Sequence, residues 1–163
     1  MHSKQEAESL KSRIEIQTPY ITPKVVGIPD VPGGPATMFA VGLVLAPERV
    51  EYVFANNGVW WLTKDFSSVQ AINKHQFETE LCQMIAFWGA NSQLDYARTL
   101  AANQSKSDPS VRKAIDEAQK NAVVSFRFLD SQSKDNNLHR KTRRTCADMA
   151  QQVFEATLRI PNL

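Results

Sequence analysis

Val50-Glu51-Tyr52-Val53-Phe54-Ala55-Asn56-Asn57-Gly58-Val59-Trp60-Trp61-Leu62 decides whether this chain is wholly helical or mixed. Two runs rich in β-branched and aromatic residues flank Asn57-Gly58, a dipeptide suited to the positive-φ positions of a two-residue hairpin turn. That register sets Phe54 opposite Trp61 and Val53 opposite Leu62, so both faces of the hairpin carry apolar groups. A rival reading starts a helix at Pro47-Glu48 and stops it at Gly58. Composition favours the hairpin, because Tyr, Val, Phe and Trp all suit a pleated surface. The expected fold is α+β, mainly helical: a small antiparallel β element (hairpin near 50–63) followed by a helical C-terminal half.

Towards the N-terminus, Ala36–Leu45 is apolar and bounded by Pro35 and Pro47. Periodicity does not separate a buried strand from a short buried helix there. Five of the eight prolines lie between Pro19 and Pro35, with Gly27, Gly33 and Gly34 among them. Lost N–H donors and loose φ exclude a helix or a central strand. The segment reads as an extended arm, packed on its own domain or laid across a neighbouring copy through Val25, Val26, Ile28 and Val31. Lys4–Ile16 suits a short helix through Ala7, Leu10 and Ile14. Residues 1–35 are thus expected as a helix plus a Pro/Gly-rich arm, and residues 36–163 as a single globular domain.

Towards the C-terminus, Phe77, Leu81, Met84, Ile85 and Trp88 fall on one helical stripe, with an interruption expected at Gly89-Ala90-Asn91. Leu94, Ala97, Leu100 and Ala101 continue in a second piece. Asp108 as cap and Pro109 at the first helical position give the clearest start in the chain. Val111, Ile115, Ala118, Ala122, Phe126 and Leu129 follow it, while the alternation of Val124, Phe126 and Phe128 also allows a strand ending. Ser131–Asn137 is turn-like and leads into the last helix.

That last helix opens on His139-Arg140-Lys141-Thr142-Arg143-Arg144. Aligned peptide dipoles make the first turns of a helix partly positive, so four cations in five positions are unfavourable there without an anion from outside. From Lys134 to Arg144 the formal charge is +4, although the whole chain carries only +2. On a helical wheel Leu138, Cys146, Met149, Val153, Ala156 and Ile160 share a core face. Arg140, Arg143 and Arg144 lie opposite, flanked by Lys141 and His139. Guanidinium forks match phosphate oxygens. Gln132, Ser133, Asn136 and Asn137 are placed to add neutral contacts. Four phosphate contacts would give log K a salt slope of about −3 to −4. The bland alternative is a solvated face, with Asp148 and Glu155 pairing with Arg144 and Arg159.

Other chemistry is weakly supported. His75/Cys82 and His139/Cys146 are each seven residues apart, and seven helical residues rise about 10.5 Å, too far for two ligands to one tetrahedral ion. No metal or cofactor is expected. Glu78 and Glu80 do not share a helix face, and Pro32-Gly33-Gly34-Pro35 lacks the lysine of a phosphate loop. Two cysteines far apart, a polar N-terminus and no long apolar run point to an intracellular, cytoplasmic protein without a membrane partner.

The expected function is a non-catalytic, nucleic-acid-associated structural or accessory protein. His139, Arg140, Lys141, Arg143 and Arg144 would meet the phosphate backbone, and the N-terminal arm would drive homo-oligomerisation. The alternative is a protein–protein interaction module, an inhibitor, adaptor or complex subunit. There the basic face meets an acidic protein surface, and Tyr52, Trp60 and Trp61 form the partner interface.

Overall fold

The chain is α+β and mainly helical, and its sheet extends well beyond one hairpin. The computed structural model describes residues 1, 3–18, 20–105 and 107–159, apart from the side chain of Glu78. In chain order the elements are α1 (Lys4–Gln17), β1 (Thr22–Pro29), β2 (Ala36–Ala46), β3 (Arg49–Asn56), β4 (Val59–Thr63) and β5 (Gln70–Ile72), then α2 (Lys74–Asn103), α3 (Pro109–Ser133) and α4 (Arg140–Thr157). They divide into two compact units, Met1–Cys82 and Gln83–Leu163. The boundary falls inside α2, shortly after Glu80, where φ −125° and ψ 16° leave the helical range. Among the described residues no helix is long and apolar enough to cross a membrane.

The first unit holds one antiparallel meander in the order β1-β2-β3-β4-β5. The expected hairpin is β3–β4, with Phe54 opposite Trp61 and Val53 opposite Leu62. Asn57 and Gly58 supply its turn at φ 52° and 75°. Pro47 and Glu48 do not start a helix: they turn β2 into β3, with Glu48 left-handed at φ 63°. Ala36–Leu45 resolves as strand, placing Val41, Leu43 and Leu45 on one face, all almost fully buried. Val53 and Leu62 extend that face across the sheet. On α1, Ala7, Leu10 and Ile14 form its buried stripe, and Ser3 caps the helix by accepting from the Glu6 N–H.

The extended arm requires correction. Residues 22–29 form β1, paired with β2 from Thr22↔Val44 to Ile28↔Met38. Its prolines are tolerated because β1 is a terminal strand, where an N–H facing away from the sheet is not needed. The expected division at 35/36 therefore runs through the β1–β2 connection rather than between units. Pro19, the start of that arm, lies outside the described residues.

The second unit is three helices: α2 from Gln83, α3 and α4. Its core includes Ala90, Leu94, Ala97, Val111, Ile115, Leu129, Cys146 and Val153. No break occurs at Gly89-Ala90-Asn91. Ala90, Leu94, Ala97 and Ala101 are buried at steps of four, three and four, and Asp95 stays exposed. On α3 the buried set is Val111, Ile115, Ala118, Ala122, Ser125 and Leu129, a heptad seam maintained along the helix. Ser125, not Phe126, completes it, and its hydroxyl donates to the Ala86 carbonyl at 3.1 Å. Asn121–Gln93 and Gln83–Gln132 side-chain bonds run alongside, so α2 and α3 lie antiparallel. The C-terminal part of α3 is helix, not strand.

Candidate nucleic-acid interface

α4 begins at Arg140 because His139 stops being helical, at φ −58° and ψ 144°, and caps the helix with its ring. His139 Nδ1 accepts the Lys141 N–H at 3.1 Å. The imidazole therefore satisfies one of the donors a helix start leaves open, a task usually given to Ser, Thr, Asp or Asn. Its place in the site is that of a cap at the root of the basic cluster. No acidic residue lies in the first turn, so nothing in this helix offsets the positive end of its dipole there. Thr142, Cys146, Met149, Ala150, Val153 and Ala156 are buried, and they hold the helix on its bundle. Ile160, expected on the same face, lies outside the described residues.

Arg140, Lys141 and Arg144 are exposed. Among the described residues none of them makes an ion pair, and the expected Arg144–Asp148 contact is not formed. Glu155 instead accepts from the Gln151 amide at 3.2 Å.

Arg143 departs from the expected outward trio. It is half-buried, its Nη1 donates to Asn136 Oδ1 at 3.3 Å, and its Nε is buried without a hydrogen-bond partner among the described residues. The neighbouring polar groups expected to help are also engaged. Gln132 bonds to Gln83, Ser133 donates to the Asp130 carbonyl, and Asn136 holds Arg143. Only the Asn137 side chain stays exposed with no bond among these. Lys134 is paired with Asp130 at 3.0 Å and is not part of the free charge. The site thus presents three cations in full and a fourth held back.

The chain matches no protein-family model, no curated protein and no solved structure. The site stands on its own chemistry.

The aromatic interface expected at Tyr52, Trp60 and Trp61 is divided between the two faces of the sheet. Trp60 is half-buried and stacks on the core residue Phe77, centroids 4.1 Å apart and planes 23° from parallel. Tyr52, Phe54 and Trp61 share the opposite face by register. There Phe66, which no sequence signal picked out, packs 4.9 Å from Tyr52 and 6.0 Å from Phe54. Thr63 fixes the loop: its hydroxyl accepts the Phe66 N–H at 2.9 Å and donates to the Ser68 carbonyl at 2.6 Å.

A cleft of about 340 Å³ beside the same loop is lined by Glu51, Lys64, Asp65 and Ser67, among others. Burial raises the Glu51 pKa, opposed by Lys64. Hydrogen bonds from Ser67 lower that of Asp65. Nothing in the residue pattern marked this pair, because a turn brings them together. Asp65 Oδ1 accepts from both the Ser67 hydroxyl and N–H, which closes the turn after β4.

Cys82 is buried and donates to Gln17 Oε1 at 3.3 Å, and Cys146 is buried in the bundle. Among the described residues no group of three or more His, Cys, Asp or Glu is placed to hold a metal ion.

Proposed function

We propose that this protein is a non-catalytic, nucleic-acid-associated structural or accessory protein that binds the phosphate backbone through the N-terminal end of α4. The observation that carries the reading is the exposure of Arg140, Lys141 and Arg144, without ion pairs among the described residues, at a helix start with no acidic residue. Phosphate would supply the missing negative charge, meeting both the guanidinium forks and the positive end of the dipole. Contacts of this kind position a backbone and carry little sequence information. The reading places the protein inside the cell, where Cys82 and Cys146 would remain reduced thiols. Self-association is proposed only at the outer edge of β1, where Pro23 and Pro29 withhold two donors and keep the pairing short.

A second reading, a protein-interaction module, is favoured by one observation. Tyr52 and Trp61 are half-buried on one sheet face, and Phe66 beside them is 38% exposed. Fluorescence anisotropy separates the two. Changing Arg140, Lys141, Arg143 and Arg144 together to Gln should abolish binding of labelled single-stranded RNA and DNA at low salt. A folded wild type that binds neither strand nor duplex would refute the first reading.

A further inference from the structure

One stripe of α4 joins the basic cluster to an exposed aromatic ring. At 100° per residue Arg140, Arg143, Arg144, Ala147, Gln151, Phe154 and Leu158 fall within a quarter or so of the helix circumference. No carboxylate lies among them; Glu155 and Asp148 border the stripe about 20° and 40° beyond Arg144, and the Glu155 carboxylate is occupied by the Gln151 amide at 3.2 Å. Phe154 is 47% exposed and Leu158 70%. The Phe154 ring is braced from α3 by Phe126, with centroids 6.2 Å apart and planes at 48°. A ring half open to solvent and steadied on one side is a platform: its orientation is set before anything stacks on it, which limits the ordering cost of binding. Between cluster and ring stand only Ala147 and Gln151, one small and one uncharged. Eleven residues separate Arg143 from Phe154, or about 16 Å along the axis.

Charge at one end identifies an anionic partner, and the ring at the other end restricts its kind. A duplex keeps its base faces stacked inside, so it offers α4 phosphates and groove edges but no face for the Phe154 ring to stack on. A single strand offers phosphate and an open base face together, the combination that backbone-tracking single-strand binders use. We propose that this stripe is a binding track for single-stranded nucleic acid, with phosphates on Arg140 and Arg144, Lys141 adding charge from the flank, and a base stacked on Phe154. This rests on the phosphate-binding reading above and adds the class of strand to it.

The test is anisotropy with a labelled oligothymidine long enough to cover the stripe and with a duplex of equal length. The proteins are wild type, Phe154→Leu and Phe154→Trp, each checked by thermal melting. Leu keeps the apolar volume and removes the ring. The Leu variant should bind the single strand about tenfold more weakly, the loss expected for one stacked base. Its duplex affinity and its salt slope should not change, and Trp should restore single-strand binding. Equal single-strand affinity for Leu variant and wild type, or an equal loss on duplex, would overturn the stacking track while leaving the phosphate reading intact. Wild type that binds neither nucleic acid at about 50 mM salt would overturn both. Displacement of the oligothymidine by a polyglutamate peptide, with the same dependence on Phe154, would overturn the track in favour of an acidic protein partner.

Discussion

On the proposed phosphate-binding reading, Asn136→Ala should make binding of a single strand more sensitive to salt, because it releases Arg143. In the wild type three cations are free and the fourth is tied to Asn136 Oδ1 at 3.3 Å. Each phosphate contact on a single strand contributes about −0.7 to the slope of log K against log salt, so three give about −2.1. A fourfold rise in salt, from about 50 to 200 mM, then weakens binding about 18-fold. With Arg143 free the slope approaches −2.8 and the same step costs about 50-fold. Changing Arg140, Lys141 and Arg144 together to Gln should leave a slope no steeper than about −0.7. The same triple change removes cations from the start of α4, where each opposes the dipole by about 0.3–1 kcal/mol, so the variant should melt higher than wild type. Weaker binding with greater stability separates a lost contact from a damaged fold. Anisotropy titrations at five salt concentrations, with a melt of each variant, give both numbers. A triple variant that keeps a slope near −2 would refute the assignment of these cations to phosphate. A wild-type slope already near −2.8, unchanged by Asn136→Ala, would show that Arg143 leaves Asn136 on binding.

Gly42→Ala should destabilise the first unit by about 1–3 kcal/mol, because the added Cβ would lie 3.1 Å from Tyr52 Cε1 and force that ring to move. Thermal melts of Gly42→Ala with and without Tyr52→Ala check it, since the penalty should vanish once the ring is gone. Ser125→Ala should cost about 1 kcal/mol by removing a fully buried hydroxyl from the Ala86 carbonyl, read by urea unfolding. Glu51 has its pKa raised by burial, so the folded state holds its proton to higher pH than the unfolded chain does. Stability from this group is therefore lost as pH rises through the interval between the two values. Glu51→Gln should be more stable than wild type at neutral pH and equal to it in acid; a constant difference across pH would count against the burial of this carboxyl.

Side-chain type and spacing carried most of the fold. Asn57-Gly58 between β-branched and aromatic runs specified the hairpin and its register, because a two-residue turn leaves few alternatives. Asp108-Pro109 likewise marked the start of α3, where the Asp108 carboxylate accepts the Ser110 N–H at 2.9 Å. The β1 error has a physical origin. Proline density excludes a helix or a central strand, but a terminal strand needs hydrogen bonds on one side only, and composition cannot distinguish it from a free arm. A break at Gly89 follows from the sequence only if one apolar stripe must continue unchanged. Instead small residues, Ala90, Ala97 and Ala101, carry the core at a new angle and leave Asp95 in solvent.

The site was legible as a set of charges and not as an arrangement. A helical wheel gives the angle at which Arg143 leaves the axis, but not that Asn136, seven residues back across the α3–α4 turn, takes up its guanidinium. Nor does spacing show that Phe154, next to the core residue Val153, stays half-exposed against Phe126 of another helix. The two facts share a cause. α4 is stabilised by tertiary burial, through Cys146, Met149, Val153 and Ala156, rather than by its own end charges. A helix held that way can carry an unopposed positive start capped by an imidazole, an arrangement too costly for a helix that depended on its termini. The cations of that first turn are therefore compatible with a stable bundle, and on the proposed reading they and the exposed stripe below them serve one ligand.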